Sequence, residues 1–204
     1  MMPPTFLAKL TRRFARDEKA VAAVEFALIM PFLLALYFGS MEGAALYTAD
    51  KKVNSISATV GDLVAQWDPG DGTLATSTLN DYASASTGLI NPYSVTGVKT
   101  VVTLIEVKSD GSTKVLWSKA YGGGTALTVG NAFTPLITSS MMDQVSRGGC
   151  LIASQTSYSY KPLLAQVFTS ALNLSHINYF LPRYGSTQPI NLDTTSLAGT
   201  ACTA

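Results

Sequence analysis

The pattern of apolar and polar positions divides the chain into three stretches. From Val21 to Met41 the residues are almost uniformly apolar, and Glu25 is the one charge. At about 1.5 Å per residue, a helix over this stretch is roughly 31 Å long, enough to cross a bilayer core. The periodicity then changes. Val53, Ile56, Val60, Leu63 or Val64, and Trp67 recur at helical spacing, with Lys51, Lys52, Asn54, Ser57 and Asp62 between them. That spacing predicts an amphipathic helix, and Asp68-Pro69-Gly70 ends it. One helix over about 21–67 is expected, roughly 70 Å long at the standard rise. Its first half would lie in lipid (21–43), and its second (44–67) would lay its apolar stripe on a head formed by 68–204.

The third stretch alternates at shorter range. Leu79, Tyr82, Ala83 and Ser86 predict a short helix within Leu74–Leu89. Two β-rich runs, Thr100–Lys108 and Thr113–Ser118, flank Ser109-Asp110-Gly111-Ser112, which predicts a hairpin. Tyr121-Gly122-Gly123-Gly124 reads as a flexible loop, since no Gly-Lys-Ser/Thr follows to make a phosphate loop. A short helix is expected over Thr138–Val145. A third strand follows over Cys150–Tyr160, with Leu151, Ala153 and Tyr158 as packing candidates. Loop or helix is expected over Pro162–Leu174, a fourth strand over His176–Leu181, and a loop-like tail from Ser186. The head is thus predicted as a small antiparallel sheet backed by helices, an α+β fold with the long N-terminal helix laid on it.

Charge narrows the function classes. The chain has 204 residues, 13% charged, with formal net charge +1. The low share of charge is unlike a typical soluble domain, and the neutral balance argues against a nucleic-acid partner. Lys9, Arg12, Arg13, Arg16 and Lys19 outweigh Asp17 and Glu18 ahead of the apolar run. This excess predicts a cytoplasmic N-terminus and an exported head. Three readings of the N-terminal segment compete: a secretory signal cleaved after the apolar run, a plain signal anchor, and a prepilin-type signal cut before it. Gly39-Ser40-Met41-Glu42-Gly43 is a poor A-x-A-like cleavage site, and Arg12-Arg13 is no more than a chance twin-arginine pair.

Candidate chemistry is sparse. Cys150 and Cys202 fit no metal spacing. In an exported head a disulfide between them is favoured over two free thiols. It would close a loop of about 50 residues and stabilise by roughly 4 kcal/mol in the chain-entropy model. His176, the only histidine, lies among Ile177, Tyr179 and Phe180, which favours packing or exposure over catalysis. No hydrolase elbow, zinc-protease motif or P-loop is present. Asp68-Pro69-Gly70-Asp71-Gly72 lacks the calcium-loop spacing and reads as a turn. No enzymatic activity, cofactor or metal is expected. Trp117 and Tyr184 are candidates for a partner surface if they are exposed.

Two patterns in the apolar run point to assembly. Glu25 is costly in lipid, on the order of 2.5–3.5 kcal/mol at a helix centre and less toward its end. Ala23, Ala27, Pro31, Ala35, Gly39 and Gly43 recur at i, i+4, ending in a G-x-x-x-G pair. Small residues at this spacing let helix backbones approach closely in lipid, although Ala and Gly are frequent in any such helix.

The run Arg16-Asp17-Glu18-Lys19-Ala20-Val21-Ala22-Ala23-Val24-Glu25-Phe26-Ala27-Leu28-Ile29-Met30-Pro31, with a second acid at Glu42, resembles the N-terminus of TadE-like proteins. These are minor pilins or pseudopilins of the Tad (tight adherence, Flp) pilus and secretion system. The resemblance is specific over residues 12–66. It is weaker in Tyr158–Leu164 and in Leu181-Pro182-Arg183. It implies cleavage by a prepilin peptidase between Ala20 and Val21, where the family usually has Gly in place of Ala20. It also implies that Glu25 and Phe26 set assembly register, and that Glu25 pairs with the new α-amino group of a neighbouring subunit. The implied partners are other minor and major pilins, inner-membrane platform proteins and membrane lipid. The implied location is the bacterial inner membrane with the head in the periplasm. The alternative is an uncleaved, signal-anchored periplasmic binding or adhesion module.

Overall fold

A computed structural model describes residues 18–134, 147–162, 171–184, 189–195 and 202. The helix expected over Thr138–Val145 lies outside them. Helix α1 runs from Glu18 to Ala65 and passes through Pro31 without a break. The chain divides into two compact units, Met1–Ala45 and Leu46–Ala204. In the first, every residue from Val21 to Met41 is exposed. Here α1 is long and apolar enough to cross a membrane, by length and composition, which suits single-pass anchoring.

Among the described residues, the second unit contains the rest of α1, helix α2 (Thr76–Thr87) and four strands. These strands are β1 (Val98–Val107), β2 (Thr113–Tyr121), β3 (Gly149–Tyr160) and β4 (Leu172–Phe180). The sheet order is β2-β1-β3-β4, antiparallel throughout. This is the expected α+β arrangement, a long N-terminal helix packed on a four-stranded antiparallel sheet. β4 starts at Leu172, so the loop or helix expected up to Leu174 gives way to strand at its end.

Local chemistry explains the breaks. At the end of α1, Trp67 N bonds Val64 O at 3.1 Å, tightening the last turn. Asp68 then caps a 3-10 turn over Pro69–Asp71, its side chain accepting from Gly70 N at 2.8 Å. The Asp68–Gly72 segment is therefore a turn. In the β1–β2 hairpin, Asp110 Oδ1 accepts from Ser112 N at 2.8 Å. Hydrogen bonding from the Ser112 side chain, and next from this backbone N–H, holds the Asp110 carboxyl below the usual carboxylate range. A register shift between Leu104 and Ile105 marks a bulge in the pairing with β2.

The pleat sorts the sheet into two faces. One packs on α1: Ala49, Val53, Ile56, Val60 and Val64 are all fully buried, a stripe at helical spacing. Val102, Leu104, Ile152 and Trp117 lie in the same core, and Trp117 Nε1 donates to Ile190 O at 2.7 Å. Trp117 is only 1% exposed, so it is not the partner-surface aromatic that the sequence allowed. A buried indole needs an acceptor, and the 189–195 segment supplies it. That segment is also tied by Leu74 N to Asn191 O at 2.8 Å, so this part of the expected loop-like tail is held in place.

The opposite face carries Ile105, Val107, Val115, Leu151 and Ala153 under Phe133, with Leu127, Ile177 and Tyr179 packed around them. The coil after β2 covers this core. Leu127 N donates to Ser118 Oγ at 3.0 Å, Phe133 N to Thr113 Oγ1 at 3.1 Å, and Val115 N to Asn131 O at 2.8 Å. The glycine run that opens this coil forms a turn, with Gly124 N donating to Tyr121 O at 3.2 Å. Gly122 sits at φ 65, where a Cβ would collide with Val98 O. Cys150 and Cys202 are both buried and joined by a disulfide, with Cα atoms 5.1 Å apart.

Candidate assembly surface on the N-terminal helix

Among the described residues, the first half of α1 meets no intrachain core. Leu28 is 73% exposed, Phe32 69% and Phe26 59%. Burying each such side chain is worth about 1.5–3 kcal/mol, so a helix bare on all sides is unstable in water and needs lipid or other helices around it. Glu25 is exposed on this helix. The small residues Ala23, Ala27, Ala35, Gly39 and Gly43 are exposed too, and a Cβ added at Gly39 or Gly43 would meet nothing within 4 Å. Among the described residues, nothing packs on this ridge. Ala20 and Val21 are both helical in the uncut chain. Glu42 is buried, unlike its neighbours on either side.

From Asp50 onward the helix is used differently. His176 Nε2 and Asp50 Oδ1 are 2.6 Å apart, Asn178 Nδ2 donates to Asn54 Oδ1 at 3.0 Å, and Arg183 pairs with Asp62 at 2.5 Å. Ser57 Oγ, fully buried, donates to Ser154 O at 2.5 Å. These residues form a polar seam between α1 and the β3–β4 side of the sheet. Ser57 thus leaves the polar set that the sequence placed between the apolar stripe positions. Gly61, one turn on, completes the approach: a Cβ there would run into Phe180 and lie 3.0 Å from Ser154 Cβ. Sequence reasoning missed Asp50, Asn178 and Gly61. The only available signal was that two small residues, Ser57 and Gly61, stand at i, i+4 beside the stripe.

The seam is structural chemistry. His176 and Asp50 are each about one-third exposed, and their pairing holds strand to helix. Among the described residues, no group of three or more His, Cys, Asp or Glu side chains could hold a metal ion. Tyr184 is exposed at 56% and stays a candidate contact residue.

No curated protein and no solved structure matches the chain significantly. Residues 20–60, covering the bare apolar half of α1 and most of its buried half, match the family model described as TadE-like protein. The TadE-like resemblance read from the N-terminal helix is therefore borne out over that segment, and it supports a pilin-like protein associated with Tad pili.

Proposed function

We propose that this chain is a minor pilin or pseudopilin of a Tad-type pilus assembly and secretion system, without enzymatic activity. The observation that carries this reading is a helix bare and apolar from Val21 to Met41, interrupted only by Glu25, within a TadE-like segment. A prepilin peptidase cuts between Ala20 and Val21 at the inner face of the bacterial inner membrane, and the head lies in the periplasm. Val21 then carries a positive α-amino group. In a bundle of axially offset helices, Glu25 of one subunit meets the amine of another. Each charge offsets the cost of burying the other, and a subunit out of register leaves both unpaired. Phe26 and the ridge of Ala23, Ala27, Ala35, Gly39 and Gly43 shape the contact between helices. The head engages other minor pilins at an initiation or tip complex.

The mature N-terminus tests this. In cells holding the cognate peptidase, N-terminal sequencing reads Val21 first. A stable product starting at Met1 or Met2 refutes processing and returns the chain to a signal-anchored binding or adhesion module, the reading that Ala20 in place of glycine keeps in play. Glu25→Ala retains insertion and cleavage but abolishes filaments, because losing one partner of a buried pair costs about 3–5 kcal/mol. Normal filaments from that variant refute the pairing.

A further inference from the structure

The two edges of the sheet are finished differently. At the β2 edge, Val115 N donates to Asn131 O and Val115 O accepts from Gly130 N, both at 2.8 Å, so the coil after the strand occupies it. Lys114 and Lys119 add charge to the same strand. At the β4 edge neither device is present. Among the described residues, β4 pairs with β3 alone, and no other backbone bond reaches it. Its sequence, LNLSHINYF, holds no Lys, Arg, Asp, Glu or Pro, and His176 is engaged by Asp50. Folded sheets ordinarily blunt their edges with such residues, because an unpaired row of N–H and C=O groups templates another strand.

The ladder fixes which groups are unpaired. Val115 turns both backbone groups outward, so Ile105, its partner on β1, turns both of its own to β3. The alternation then continues without a shift through the β1–β3 and β3–β4 pairs. On β4 it gives the even-numbered residues to β3. Asn173, Ser175, Ile177 and Tyr179 are left with N–H and C=O directed away from the sheet. By the pleat these four share the face of Phe133, where Ile177 and Tyr179 are only half-buried. The other face of β4, with His176 and Asn178, is given to α1.

We infer that this edge takes up an extended segment of a partner protein as an added β-strand. The occupant follows from the edge itself. Donors and acceptors repeating along one line for about 20 Å are matched group for group by another extended peptide backbone. Lipid, nucleotide and saccharide offer no such repeat. Side chains set the rest of the chemistry. Residues opposite each other across a strand pair share a face. The guest residues that bond β4 therefore stand beside Ile177 and Tyr179 and are apolar there. Those between them stand beside His176 and Asn178 and are polar. The partner segment thus alternates apolar and polar residues, and its apolar side extends the core under Phe133 past β4. The inference goes beyond the pilin reading and is independent of cleavage and of Glu25.

The test uses the full chain in zwitterionic micelles and a short fluorescein-labelled peptide of alternating threonine and valine. N-methyl groups on the threonines leave the valine edge free to bond β4 and stop the peptide from stacking on itself. N-methyl groups on the valines block the bonding edge. Fluorescence anisotropy above that of empty micelles is expected for the first peptide and not for the second. Ser175→Pro removes one outward N–H without breaking a bond to β3, a place where an edge strand accepts proline. It weakens binding about tenfold, the effect of a lost backbone bond. Ser175→Ala, which loses the Gln155 contact but keeps the N–H, binds like the parent chain. No binding by the first peptide, or equal binding by both, overturns the inference. So does binding that is indifferent to Ser175→Pro. If that variant unfolds at a lower denaturant concentration than the parent chain, the two peptides on the parent chain decide alone. Self-association of the parent chain in sedimentation, lost in Ser175→Pro, overturns the partner assignment by giving the edge to a second copy.

Discussion

Residues 21–41 and 49–64 belong to one helix, yet they meet opposite surroundings. Leu28 in the first stretch is 73% exposed, while Val53, Ile56, Val60 and Val64 in the second are fully buried. The first stretch is apolar on every side, so no intrachain face is favoured over another. The second alternates, so one stripe goes to the sheet and its polar flanks bond β3, β4 and Arg183. The lesson is that helix formation and helix burial are separate decisions. Continuous backbone bonding makes α1 one element, while the placement of polar residues decides whether its surroundings are the same chain or something outside it.

Substitutions can break or sharpen this contrast. The largest effect is expected from the head's covalent link. Cys150→Ser opens a loop with a sequence separation of 52. In the chain-entropy model that costs roughly 4 kcal/mol. Chemical unfolding followed by Trp117 fluorescence reads it, and an unchanged midpoint removes the disulfide from the list of what holds the head. Next comes a matched pair of truncations on α1. Ile56→Ala costs the head about 3 kcal/mol, in the range for buried large-to-small changes. Leu28→Ala leaves the same unfolding curve within about 0.5 kcal/mol. Equal effects would mean that the two halves are not distinct.

The glycines give a subtler comparison. Gly61→Leu forces Phe180 and Ser154 aside and destabilises the head by about 2 kcal/mol. Gly39→Leu meets open space within the chain and leaves the head's melting temperature alone, so any defect it causes appears only in assembly. A drop in melting temperature for Gly39→Leu would show that the first half is also packed within the monomer.

The smallest effect is alkaline. Burial, with Asp193 adding to it, pushes the Tyr121 phenol from 10.0 up to about 12. Between those values the folded state keeps a proton that the unfolded state releases, so stability is intact below about pH 10 and falls as pH rises through the window. Tyr121→Phe flattens that slope, measured as the difference between denaturation midpoints at about pH 9 and pH 11. Parallel slopes in the two proteins would exclude Tyr121 as its source.

Much of the head was legible from local pattern. The stripe from Val53 to Val64, the hairpin around Gly111 and the third strand with Leu151, Ala153 and Tyr158 all follow from short-range periodicity and turn chemistry. The misses share a cause. Ser57 is buried through Ser154, a residue 97 positions away, and Asp50 meets His176 across 126 positions. No window along the chain contains both partners. Trp117 was compatible with exposure until Ile190 supplied an acceptor for its indole. The path of the coil after the glycine run was not legible either, because the bonds that hold it, to Thr113, Val115 and Ser118, come from the strand preceding it.

For the candidate surface the balance is reversed. The apolar run, its single carboxylate and the TadE-like pattern were complete in the sequence, because fitness to cross a membrane is a matter of composition and length along one helix and needs no tertiary partner to define it. Only the tertiary structure decided that α1 turns its Ser57–Gly61 side to β3 and β4, and that β4 is left at an edge of the sheet. Those outcomes depend on distant backbone groups converging at contact distance, which a linear pattern does not encode.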